Sequence, residues 1–182
     1  MIEKETPNIL QYYYVADKSD PEYYKCTWAR FYFDLNNFTL MIESDCGNFM
    51  HGWPITKSES FIELMARVEN GYLVNKISEL VFDSDKTIEN ILENVQEWNP
   101  DYYDEIRHNF VDYGDFDIDN EDIFFEKVND MFDDYYPYLS EYQNIPNSEF
   151  VCYKYPSEAE TIANIFCKYI QPMLATMCKD KI

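Results

Sequence analysis

The chain of 182 residues is 46% hydrophobic and 18% aromatic, with 17 Tyr and 13 Phe, which is enough apolar material for a folded core and fits a single domain over 1–182. Its 35 acidic residues against 14 basic ones give a formal net charge of -21. Such a charge speaks against ordinary nucleic-acid binding and against an anionic membrane surface, because carboxylates repel phosphates. A basic protein surface, or a cation, is the natural complement.

Residues 1–55 read as an antiparallel β-meander of three or four strands. Leu10 to Val15 carries three consecutive tyrosines. In the stretch from Thr27 to Asp34, Ala29, Phe31 and Phe33 fall on one face and Arg30, Tyr32 and Asp34 on the other. Asn36 and Asn37 supply a tight turn through positive φ. Phe38, Leu40 and Ile42 form the apolar face of the next strand. A second turn over Asp45-Cys46-Gly47-Asn48 leads to a strand from Phe49 to Trp53, ended by Pro54.

The period then changes from 2 to 3.6, opening an acidic helical segment over 56–150. Ser60 and Glu63 have capping-box spacing, and Phe61, Leu64, Met65 and Val68 make a helical stripe that should stop near Gly71. Tyr72 to Phe82 reads as helical. Ser84 or Asp85 should cap the next helix, with stripe Ile88, Ile91, Leu92, Val95 and Trp98. Pro100 restarts the chain, and Tyr103, Ile106, Phe110 and Tyr113 continue the pattern to Gly114. Another helix is expected from Asn120 to Tyr135 around Phe124, Val128 and Met131. Pro137 and Pro146 bracket a Tyr-rich loop.

The segment 151–182 should be one long C-terminal helix. Ser157 and Glu160 repeat the capping-box spacing, and Ala159, Ile162, Ala163, Phe166, Ile170, Met173, Leu174 and Met177 line one face. Pro172 should kink it or end its regular part. Strands first and helices afterwards imply an α+β fold, with helices on one face of an antiparallel sheet.

The five cysteines, at 26, 46, 152, 167 and 178, are odd in number and lack a Cys-x-x-Cys pair, which fits reduced thiols in a cytosolic compartment. Met1-Ile2-Glu3-Lys4-Glu5 opens without a basic region followed by an apolar run. No stretch approaches the roughly 20 apolar residues of a membrane span. A cytoplasmic location is therefore expected.

The acidity is concentrated. Residues 83–134 hold eighteen Asp and Glu against only Lys86, Arg107 and Lys127. A solvated helical face is the plain reading, but such faces usually interleave Lys and Arg, because opposite charges at i,i+4 stabilise and like charges repel. This segment forgoes that support. Asp115, Asp117, Asp119, Glu121 and Asp122 crowd together, with Asp130, Asp133 and Asp134 following. These eight carboxylates are the candidate partner-binding residues, because a row of negative charge offers a basic groove what a phosphate backbone would. Tyr102, Tyr103, Tyr113, Tyr135, Tyr136, Tyr138 and Tyr142 accompany them as core residues or interface anchors.

Other chemistry is weakly signalled. Asp115, Asp117, Asp119 and Glu126 match the ligand spacing of an EF-hand loop, which would make the protein a calcium-binding acidic regulatory module. Asn120 stands where that loop needs Gly, however, and Asp122 where an apolar residue is usual, so a helix connection capped by Asp119 or Asn120 competes. Cys46 and His51 could be paired as nucleophile and base, but no orienting group is visible. The two histidines and scattered cysteines give no zinc spacing, and there is no phosphate loop or nucleophile elbow. The expectation is a binding protein without cofactor or metal, not an enzyme.

The stretch Trp28 to Phe49 and on to Trp53, the segment Glu59 to Val68, and the ending Tyr155-Pro156-Ser157-Glu158 with Ile170-Gln171-Pro172-Met173-Leu174 resemble an anti-CRISPR family carried by phages and mobile elements of gut Firmicutes. That resemblance implies an inhibitor of Cas9-type nucleases of type II-A systems, working in the cytoplasm of the bacterial host. The partner it implies is the nuclease, with guide RNA loaded. Such nucleases hold nucleic acid in basic channels. An acidic, partly DNA-mimicking surface would occupy such a channel and block target recognition or cleavage, without binding nucleic acid itself. The family offers no catalytic residues to carry over. Sequestration of another basic host protein is the alternative.

Overall fold

The alternation in the first third of the chain produces a four-stranded antiparallel sheet in the order β1-β2-β3-β4. The structure, a computed structural model, describes residues 6–55, 61–98, 100–113, 116, 118–135 and 149–179. Strands β1 (Ile9–Val15), β2 (Trp28–Asp34), β3 (Thr39–Ser44) and β4 (Gly47–Gly52) pair in simple succession. Ala29 sits opposite Ser44 and Phe33 opposite Leu40. Ala29, Phe31, Phe33, Leu40 and Ile42 are buried, whereas Tyr13, Val15 and Met50 on the other face stand exposed.

The chain divides into two compact units. The first comprises Met1–Glu79 and Tyr155–Ile182. Helices α1 (Phe61–Met65), α2 (Asn70–Ile77), α6 (Ser157–Ile165) and α7 (Gln171–Lys179) share the core of its sheet. Phe166 lies 5.9 Å from Phe31 and 6.3 Å from Phe33, ring centre to ring centre. The α+β class follows from these elements.

The second unit, Leu80–Lys154, closes on its own core. Its first and last elements, β5 (Val81–Phe82) and β6 (Tyr153–Lys154), pair antiparallel, so the chain enters and leaves this unit at one place. Between them lie α3 (Ser84–Trp98), a 3-10 turn (Pro100–Tyr102), α4 (Tyr103–His108), a π-helical turn (Asn109–Tyr113) and α5 (Glu121–Tyr135). Ile91, Val95, Ile106, Phe110, Phe124 and Val128 fill the interior.

Several local expectations need correction. The positive φ after β2 belongs to Phe38 (φ 51), not to Asn36 or Asn37. Asp34 makes the turn instead, its Oδ1 accepting the Asn36 and Asn37 amides at 2.9 and 3.1 Å. Gly71 does not stop a helix; it lies in the first turn of α2, and the preceding helix ends at Met65. The stretch from Tyr72 is helical only to Ile77, and Val81–Phe82 is extended because it pairs with β6. Asp83, rather than Ser84 or Asp85, caps α3: its Oδ1 accepts the Lys86 amide at 3.2 Å. Ser157 makes no capping box; its hydroxyl turns to Glu158, and the Pro156 carbonyl takes the Ala159 and Glu160 amides. Ser60, Gly114 and the loop from Pro137 to Pro146 lie outside the described residues.

Pro172 acts as its chemistry requires. It has no N–H to give to the preceding turn. A π-helical turn over Phe166–Ile170 precedes it, where the Gln171 amide reaches back to the Phe166 carbonyl. Gln171 then ties this turn to α1 and beyond, its Nε2 donating to the Val68 carbonyl at 2.6 Å.

The same turn presents Lys168 and Tyr169 to the β1–β2 loop. Asp20, its side chain 6% exposed, accepts hydrogen bonds from the hydroxyls of Tyr169 and Tyr14 and lies 3.5 Å from the Lys168 ammonium. Burial pushes its carboxyl up, but Tyr169, the Glu22 amide, Tyr14 and Lys168 together hold it below its ordinary value. Asp20→Asn is therefore expected to destabilise the first unit by about 1–3 kcal/mol at neutral pH in chemical denaturation. The Asp20 contribution is complete above the ordinary aspartate pKa and fades as pH falls through the lowered value. The gap between wild type and variant should narrow below about pH 4. A gap independent of pH would show that the charge of Asp20 is not what holds the loop.

Candidate functional site

The second unit carries most of the charge. Residues 80–154 contain twenty Asp and Glu against Lys86, Arg107, Lys127 and Lys154. Folding arranges many of these acids in files. On α3, Asp85, Glu89, Glu93 and Glu97 recur every fourth residue and are all exposed, while Thr87, Ile91, Leu92 and Val95 turn inward. On α5, Asp122, Glu126 and Asp130 repeat the same spacing, also exposed, above buried Phe124, Val128 and Met131. Four residues of helix rise about 6 Å, so each file is a ladder of carboxylates at roughly that interval.

Four cations cannot neutralise these ladders. Lys86 pairs with Glu89 at 2.6 Å across an i,i+3 step, both ends exposed. Such a pair is worth little in water. Lys154 is turned to Asp83 at 3.1 Å, at the start of α3. The Lys127 ammonium lies 5.0 Å over the Phe116 ring.

The candidate residues sort unevenly. Asp119, Asp122 and Asp130 are exposed. Glu121 is half-buried, and its carboxylate accepts the Tyr153 hydroxyl at 2.7 Å, which makes it part of the fold of this unit. Asp115 and Asp117 lie outside the described residues, as do the side chains of Asp133 and Asp134 on α5. Of the accompanying tyrosines, Tyr102 and Tyr103 are half-buried against the core. The file on α3 is missing from the sequence-based candidates, although its four-residue spacing is plain in the sequence. Glu126 enters them only as a calcium ligand, yet it shares a file with Asp122 and Asp130.

The described part of the Asp115–Glu126 loop behaves as a helix connection. Asn120 Oδ1 accepts the Ile123 amide at 3.0 Å and so caps α5. Phe116 is buried and Ile118 packs against the same core. Cys46 and His51 are not brought together: Cys46 sits in the β3–β4 turn, and His51, near the far end of β4, packs edge-to-face with Trp53, ring centres 4.6 Å apart. Among the described residues no helix is long and apolar enough to cross a membrane.

Like charges at i,i+4 repel, and salt screens exposed charges. Glu93 faces Glu89 on one side and Glu97 on the other. Glu93→Gln is expected to raise the melting temperature of the second unit by about 1–3 °C at low salt, with the gain disappearing near 1 M salt. A loss of stability would mean that the file is held by contacts rather than strained by repulsion.

No curated protein and no solved structure matches this chain. Its sequence does match a family of phage proteins, Phage_phiTE_072, over residues 4–176. The chain therefore belongs to that phage family.

Proposed function

We propose that this phage protein is an inhibitor that works by binding, without catalysis, and that its target is a Cas9-type nuclease of the bacterial host. The supporting observation is the pair of carboxylate files on α3 and α5, exposed in a unit where acids outnumber bases twenty to four. Membership of a phage family is compatible with an anti-host role. The resemblance of Trp28–Trp53, Glu59–Val68 and the Pro172 region to an anti-CRISPR family supplies the nuclease as target.

On this reading the protein engages the guide-loaded nuclease and places a partly DNA-mimicking acidic surface in the basic channel meant for target DNA. Recognition of the target, or the later cleavage-competent rearrangement, is then blocked. Charge complementarity would speed encounter and exclude the substrate strand. The contacting residues are Asp119, Asp122 and Asp130, joined by Asp115, Asp117, Asp133 and Asp134 along the chain. Glu121 contributes charge while tied to Tyr153. The reading adds Glu126 and the α3 file to the set.

A target-cleavage assay with purified guide-loaded nuclease tests this directly. Stoichiometric protein is expected to abolish cleavage. Combined charge reversal at Asp119, Asp122, Glu126 and Asp130 should weaken inhibition at least tenfold in a variant whose circular dichroism is unchanged. Full cleavage in the presence of excess wild-type protein would remove the nuclease as target. Equal inhibition by the reversed variant would remove this surface.

A further inference from the structure

We propose that Cys26, Asp45 and Cys46 form a zinc-binding site at one end of the sheet of the first unit. Among the described residues these three donors form a group whose ligand atoms all lie within 4.8 Å of one another. They come from two loops. Cys26 ends the β1–β2 connection, and Asp45 and Cys46 form the two-residue β3–β4 turn, closed by the pairing of Ser44 with Gly47. The register of β2 against β3 sets Ala29 opposite Ser44 and so brings the two loops together.

The donor set and its spacing suit the metal. Zinc favours thiolate sulfur with nitrogen or carboxylate oxygen in a tetrahedron, at about 2.3 Å for sulfur and about 2.0 Å for oxygen. Tetrahedral edges are then about 3.8 Å between two sulfurs and about 3.5 Å between sulfur and oxygen. Cys26 Sγ already lies 3.3 Å from Asp45 Oδ1. Closing on an ion needs adjustments of roughly an ångström, within reach of χ rotations in a turn.

The carboxylate is also oriented as a ligand would be. Asp45 Oδ2 accepts the Thr27 amide at 3.0 Å and the Thr27 hydroxyl, and Oδ1 accepts the Thr27 and Trp28 amides at 3.1 and 3.4 Å beside the Cys26 thiol, so the whole carboxylate is held against the start of β2 next to Cys26. Outer partners of this kind fix a ligand's orientation. A staple from the turn to β2 would need only the carboxylate; two thiols brought against it add little to a staple, because S–H is a weak donor. Cys26 is buried, while Cys46 is half-exposed beside Ser44 Oγ at 3.4 Å and opens the site to solvent. Three protein donors leave a fourth position for water. Binding would release the two thiol protons and involve no redox change.

The test uses the reduced, chelator-treated protein. Zinc titration against a chromophoric chelator is expected to give one ion per chain. Cobalt(II) in its place should show thiolate-to-metal charge-transfer absorption. Cys46→Ser should weaken zinc binding at least a hundredfold, and Thr27→Val about tenfold. Cys152→Ser, Cys167→Ser and Cys178→Ser should bind as wild type. Zinc should also shield Cys46 from alkylation in the unaltered protein, a readout that does not depend on a variant folding. No stoichiometric binding to reduced wild type, unchanged affinity in a folded Cys46→Ser variant, or a Cys26–Cys46 disulfide in place of metal uptake would overturn the site.

Discussion

Repulsion between neighbouring carboxylates is the force that the second unit must hold down. Each four-residue step along the files on α3 and α5 sets like charges side by side, and twenty acids face four bases across the unit. What opposes this is apolar burial on the inner faces of the same helices. Phe124 meets Phe82 at 5.0 Å and Phe116 at 5.8 Å, ring centre to ring centre, and Val95, Ile106 and Val128 fill the space around them. Aromatic pairs in such edge-to-face arrangements add to simple area burial. A partner rich in Lys and Arg would relieve the repulsion on contact, so binding and stability are linked: whatever neutralises the files also steadies the unit.

The first unit uses the same residue type for another purpose. Asp20, Asp34 and Asp45 each gather several donors at a loop and are held below the ordinary aspartate range. For Asp34 the leading cause is the Asn37 side chain. For Asp20 and Asp45 burial pushes upward, and hydrogen bonds outweigh it. These acids define loops; the files on α3 and α5 face water. Location within the chain, not composition, separates the structural carboxylates from those available to a partner.

Much of this was legible in the sequence. Alternation of Ala29, Phe31 and Phe33 marks β2 and its buried face, and the stripe through Ile162, Phe166 and Leu174 marks the C-terminal helices. Pro172 signals irregularity because a missing N–H must be absorbed somewhere. Local punctuation is less dependable. Asn36 and Asn37 look like the positive-φ residues, yet Asp34 captures their amides and shifts that conformation to Phe38. Gly71 looks like a stop but sits inside α2, where an added methyl group would meet nothing within 4 Å and the glycine is simply tolerated. Density along the chain favours Asp115–Asp122 as acidic candidates, whereas helical period picks out the evenly spaced file on α3. The approach of Cys26 to Cys46 depends on strand register and could not be read from spacing.

On the proposed function, long-range attraction between the carboxylate files and a basic channel drives association. The association rate constant of the protein with guide-loaded nuclease, measured by stopped-flow across a range of ionic strength, tests it most directly. A rate that falls steeply with added salt, by about ten-fold or more from low to physiological ionic strength, is predicted. A rate insensitive to salt, or no association at all, would contradict it.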